Sequence, residues 1–158
     1  MRSFRGGFTL IERVVVTVIL GILGILAATA LPRFISLTSD ARSAAAAGMA
    51  GELRSAVTLV QARHQATGNS TATRVTMADG TTTNVGTGTR GGFPTAGLSG
   101  IGDAMRCESA AACNGFTGSV ARGSTVATFI PASAPAACSV TYDASTGLET
   151  NNATPANC

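Results

Sequence analysis

At 158 residues the chain has room for one domain and an appendage, and its 4% aromatic content with no tryptophan excludes a large aromatic-walled cofactor pocket. Charged residues make up only 12%, a composition suited to a surface that meets other protein or secreted material rather than to a cytosolic enzyme. The pI near 9.0 does not imply a nucleic-acid partner: all eleven basic residues are arginines scattered singly, and without Arg2 and Arg5 of the N-terminal leader the balance is 9 − 8 = +1, too little for a basic stripe.

Residues 14–31 are eighteen positions with no charge and only two threonines. As a helix they would cover about 27 Å, close to the hydrocarbon thickness of a bilayer. Arg2 and Arg5 ahead of the run hold the N-terminus in the cytoplasm, so everything after Pro32 is expected to be exported. A cleaved signal peptide ending at Ala28-Thr29-Ala30, a plain anchor and a buried core helix all fit this run. None of the three gives Glu12, at its threshold, anything to do.

Gly6-Gly7-Phe8-Thr9-Leu10-Ile11-Glu12, after a short arginine-bearing leader, accounts for the glutamate. This stretch closely resembles the class III signal of type IV pilins and type II secretion pseudopilins. The resemblance implies that a prepilin peptidase cuts between Gly7 and Phe8 and methylates the new N-terminal Phe8. Residues 1–7 would then be a leader, 8–33 a membrane and filament-core half-helix, 34–68 an amphipathic half-helix and 69–158 a β-rich head. Cleavage creates an α-amine on Phe8, and the Glu12 carboxylate of a neighbouring copy can neutralise it. At low dielectric an unpaired partner is costly, so the pair fixes one stagger between subunits. A helix-capping glutamate is the alternative role, since a carboxylate is favoured in a first turn. Phe8, Thr9, Glu12 and Arg13 are therefore the expected assembly residues.

Arg13 departs from the pattern, which usually has an apolar residue there. It can snorkel to headgroups at the edge of the span, or supply a second counter-charge to a neighbour's Glu12. The tandem Gly21-Ile22-Leu23-Gly24-Ile25-Leu26 is a second departure. One such triplet is usual before the proline, and three added residues carry Pro32 about 4.5 Å further along, some 60° short of a full rotation. Pro32 itself is expected to break or kink the helix.

Beyond it the helical pattern resumes. Phe34, Leu37, Ala41, Ala45, Met49, Leu53, Val57 and Val60 step by three or four along one apolar stripe. Arg42, Glu52, Arg54, Arg63 and His64 fall mostly off it, and His64 is expected to be a solvated helix residue. Gly68-Asn69 closes a helix on the order of 90 Å long.

The head begins with a strand at 73–77, a hairpin turn at Asp79-Gly80 and a return at 81–85. Residues 86–100 read as a glycine-rich loop, 101–105 as one helical turn, and 125–130 and 139–143 as strands. Four or so short antiparallel strands need a partner for their apolar face, and the amphipathic half of the helix supplies one. The fold class is therefore α+β, a long N-terminal helix packed on a small antiparallel sheet, as the pilin resemblance also implies.

Cys107, Cys113, Cys138 and Cys158 are even in number and follow an export-type segment, which reads as two disulfides. No Cys-x-x-Cys favours a metal, and no cofactor is expected. The sequential pairing, Cys107–Cys113 and Cys138–Cys158, is the expected one; nested and crossed pairings are the alternatives. Asn69-Ser70-Thr71 and Asn152-Ala153-Thr154 match the N-glycosylation pattern, which arises by chance in threonine-rich sequence.

Residues Pro32-Arg33-Phe34-Ile35-Ser36-Leu37, Asp40-Ala41-Arg42 and Cys138-Ser139-Val140-Thr141-Tyr142 resemble the MSHA (mannose-sensitive haemagglutinin) type of type IVa pilins. The resemblance covers the first 67 residues well and the head in patches; the Cys107–Cys113 loop lies outside it. It implies the repeating subunit of an attachment filament, held in the inner membrane as a precursor and polymerised to the cell surface by an ATPase-driven platform. A secretion pseudopilin, a minor tip pilin and a DNA-uptake pilin using Arg74, Arg90, Arg106 and Arg122 are the alternatives. Asp143 and Glu149 are too few for the calcium site of a major pseudopilin head. With one histidine, no Gly-x-Ser-x-Gly and no phosphate loop, no enzyme is expected.

Overall fold

In the computed structural model of the chain the described residues are 9–87, 91–119 and 123–158, with 31–36 described by backbone alone. Gly7, Phe8, Arg90 and Arg122 lie outside them. The first element is helix α1, Leu10–Ala66. Thr9 holds its N-cap position, its carbonyl accepting the Arg13 amide at 3.2 Å, which sets Glu12 in the first turn at the positive end of the helix dipole. The helix ends where glycine was expected to end it. Gly68 turns left-handed at φ 67° and its amide bonds the Gln65 carbonyl at 3.1 Å.

The break expected at Pro32 is not present, since helical backbone continues through residues 31–40. A proline removes one amide donor and crowds the turn before it. The ladder of a 57-residue helix spans that gap with its remaining bonds. Prolines are tolerated in this way inside long apolar helices.

The chain divides into two units, one ending at Thr38 and the other running Ser39–Cys158. In the second unit α1 buries Ala46, Met49, Leu53, Val57, Val60 and His64, a spacing of three and four that keeps them on one face. The stripe expected from the sequence therefore needs two corrections. Its early positions Leu37, Ala41 and Ala45 are exposed, because the run 44–47 is all alanine and gives no phase; the buried face begins at Ala46. His64 is buried rather than solvated, only 5% exposed, since it falls four residues after Val60 and seven after Val57.

Strands β1 (Arg74–Thr76) and β2 (Thr82–Asn84) pair antiparallel, joined by the expected turn, and the valines Val60, Val75 and Val85 pack together beneath them. The helical turn expected at 101–105 starts earlier, as a π-turn at Leu98–Gly102, and runs into α2, Asp103–Met105. Then comes a five-stranded antiparallel meander in chain order: β3 (Ala112–Cys113), β4 (Phe116–Ser119), β5 (Val126–Pro131), β6 (Val140–Asp143) and β7 (Leu148–Asn151). The described residues thus hold seven strands in two sheets, not four.

Alternation along β5 and β6 turns Ala127, Phe129, Val140 and Tyr142 inward, each at 0% exposure, against Met49, Leu53 and Val57 of α1 and against Ile101 and Met105. This is the larger of two core clusters among the described residues, and the fold class is α+β as expected. The β6–β7 turn depends on Gly147. Its φ is 70°, and a Cβ there would sit 2.4 Å from two Phe93 ring carbons, so both backbone conformation and space exclude a side chain. Both disulfides form with the sequential pairing, Cys107–Cys113 and Cys138–Cys158.

Candidate assembly face

The candidate site is the surface of α1 in the first unit. Residues Leu10–Ala30 are apolar and long enough to cross a membrane, and none of the window is buried. Leu10, Ile11, Ile19, Leu23 and Ile25 are each half or more exposed. A monomer in water rarely exposes a contiguous apolar surface of this extent, so the surface needs lipid or protein around it.

The two hydroxyls in the run are consistent with such surroundings. Thr17 donates its hydroxyl to the Arg13 carbonyl at 2.8 Å, and Thr29 donates to the Leu26 carbonyl at 3.0 Å. Each polar group is satisfied by its own helix and asks nothing of the medium. The only charges are Glu12 and Arg13, at the N-terminal edge. Both are exposed, and neither side chain makes a hydrogen bond or ion pair among the described residues. Their sequence order explains this. Neighbours i and i+1 diverge by about 100° on a helix, and the described positions three or four away carry no opposite charge. Thr9 at the cap with Glu12 three residues on also fits the spacing of a capping box. Gly7 and Phe8, the expected cleavage and methylation residues, lie outside the described residues.

The second unit, by contrast, uses most of its charges internally. Arg54 forks onto Glu149, whose side chain is only 9% exposed at the inner side of β7. Arg106 bonds Asp79 at 2.6 Å, Arg63 donates to the Thr76 carbonyl at 3.0 Å, and Arg42 donates to the Cys158 carbonyl at 3.1 Å. Of the four arginines considered for nucleic acid, Arg106 is thus committed to a carboxylate, Arg74 lies on β1, and the other two fall outside the described residues.

Asp143 accepts the Ser145 hydroxyl and amide at 2.6 and 2.8 Å, which hold its carboxyl below the usual range. The Thr81 amide, and then Arg106, lower Asp79 in the same direction. The Tyr142 hydroxyl donates to the Pro94 carbonyl at 2.7 Å inside the core, and burial raises its pKa well above the ordinary phenol value. No group of three or more histidine, cysteine or acidic residues is placed to hold a metal among the described residues.

Two groups escaped the reading of the sequence. His64 lies under Gly92, and its Nε2, like the Thr83 hydroxyl, is buried without a hydrogen-bond partner among the described residues. The β3–β4 hairpin was also missed. Its Asn114-Gly115 turn, with φ of 50° and 82°, ties the Cys107–Cys113 loop to the sheet, and the Asn-Gly pair is the signal that would have found it.

Comparison with protein-family models, with curated proteins and with solved structures finds no match to this chain.

Proposed function

We propose that the chain is a structural subunit of a type IV pilus-like surface filament, of the MSHA-like attachment kind, and that it carries out no chemistry of its own. The reading is supported above all by one observation: a membrane-length apolar run, Leu10–Ala30, is unburied and opens with Glu12, which has no partner among the described residues. In the precursor this helix sits in the inner membrane with the head on the far side. After cleavage at Gly7–Phe8 it packs against its counterparts in a filament core, where the Phe8 amine and a neighbour's Glu12 neutralise each other. The disulfide-closed head faces outward. Partners on this reading are copies of the chain, the prepilin peptidase and, indirectly, the assembly platform and its ATPase.

Mass spectrometry of material sheared from the surface of the producing cells tests the reading. Filaments built of this chain and beginning at N-methylated Phe8 are expected. A chain confined to the envelope would instead indicate a periplasmic secretion pseudopilin, and a product starting at Leu31 a secreted protein.

A further inference from the structure

The amine–Glu12 pairing leaves Arg13 with no role except snorkelling to the headgroups at the edge of the span. We propose that Arg13 is an interaction residue whose partner is Glu12 of a second copy of this chain, the two copies exchanging a reciprocal Arg13–Glu12 pair. The inference rests on the reading of α1 as a membrane-spanning helix that meets its own kind.

Three observations carry it. The run Leu10–Ala30 is wholly unburied and needs a covering. Its two charges are opposite in sign, adjacent, exposed and unpartnered within the described chain. Among the described residues no opposite charge lies three or four positions from either, so neither is neutralised by a described neighbour on its own helix.

A helix edge carrying one negative and one positive group is self-complementary. When two copies lie parallel, as two chains inserted in the same orientation must, a two-fold arrangement brings each Arg13 to the other's Glu12. The two residues differ in height by about 1.5 Å, so this pairing favours copies nearly level in the membrane. Four helical residues span about 6 Å, so pairing of Glu12 with an amine four positions before it in a neighbour favours staggered copies. The reciprocal pair therefore belongs to the unprocessed precursor, in which residue 8 has no free amine. Cleavage adds a competing cation for the same carboxylate and shifts copies toward the staggered arrangement. Interhelical polar contacts in bilayers are worth enough to change association several-fold.

Energy transfer between donor- and acceptor-tagged copies of the full, unprocessed chain in phosphatidylcholine vesicles measures the pair. Arg13→Gln and Glu12→Gln are each expected to weaken self-association by between about threefold and tenfold, and the double variant to weaken it no further than either single one. Exchanging the charges, Glu12→Arg with Arg13→Glu, is expected to restore association to within about twofold. The proposal is overturned if Arg13→Gln leaves association unchanged, as a snorkelling arginine would, or if the charge exchange associates no better than the single variants. Surface filaments from wild-type cells are scored separately. Filaments alongside an unchanged Arg13→Gln would reject the pair and keep the pilus reading, whereas restored association without filaments would keep the pair and reject the pilus reading.

Discussion

At the scale of single residues, the head is held by a few polar contacts that tolerate little change. Tyr142 is fully buried and its hydroxyl is the donor that satisfies the Pro94 carbonyl. Tyr142→Phe leaves that carbonyl without its donor and is expected to cost about 2 kcal/mol in chemical denaturation of the oxidised head. Gly147→Ala meets both an unfavourable backbone region and the Phe93 ring, and roughly 3 kcal/mol of destabilisation is expected by the same measurement. The Arg54–Glu149 pair is worth less, because Arg54 is 74% exposed; Arg54→Met is expected to cost about 1 kcal/mol or less.

Ionisation gives the head a stability window. Asp143 and Asp79 titrate below their unfolded values, so their contributions are complete above about pH 4 and fade as pH falls below it. Tyr142 titrates above its unfolded value, so its contribution is complete below about pH 10 and is lost as pH rises further. Thermal melting of the head across pH is therefore expected to show a plateau between these limits. A melting temperature that rises on acidification below pH 4 would contradict the assignment of the turn carboxylates.

At the scale of elements, legibility followed the strength of local signals. Gly68 and the Asp79-Gly80 turn announced the end of α1 and the first hairpin. The alternation of Ala127, Phe129, Val140 and Tyr142 announced β5 and β6. Strand β7, Leu148–Asn151, carries a single apolar residue and was invisible, since its membership is decided by pairing with β6 and by the contact of Glu149 with Arg54. Strand β3 has two residues and owes its place to the Asn114-Gly115 turn and the adjoining disulfide. His64 was misplaced for a different reason. Its polar type outweighed its position on the stripe, yet helical phase decides burial and chemistry has to adapt.

The Cys138–Cys158 bridge, which closes a sequence separation of 20, fixes β7 and the terminal segment to β6. Reducing it, or replacing both cysteines by alanine, is expected to cost about 3 kcal/mol. Hydrogen exchange should quicken first in β7, which has no strand beyond it among the described residues.

At the scale of the whole molecule, two kinds of surface share one chain. The second unit buries a core and spends most of its described arginines on internal contacts. The first unit presents a greasy helix, unburied over Leu10–Ala30, with a carboxylate and a guanidinium at its lip. The membrane-length run was fully legible from sequence, because hydropathy over twenty residues needs no tertiary context. What surrounds it was not, since a lone chain does not contain its own neighbours.

The account turns on Glu12 acting between copies rather than as a cap on its own helix. Counting and measuring surface filaments from cells that express Glu12→Ala, beside Glu12→Asp and wild type, separates the two roles most directly. Filaments are expected to be lost with alanine and partly retained with aspartate, while the chain still accumulates in the membrane with an intact, oxidised head. Filaments of normal number and length from Glu12→Ala would contradict the account.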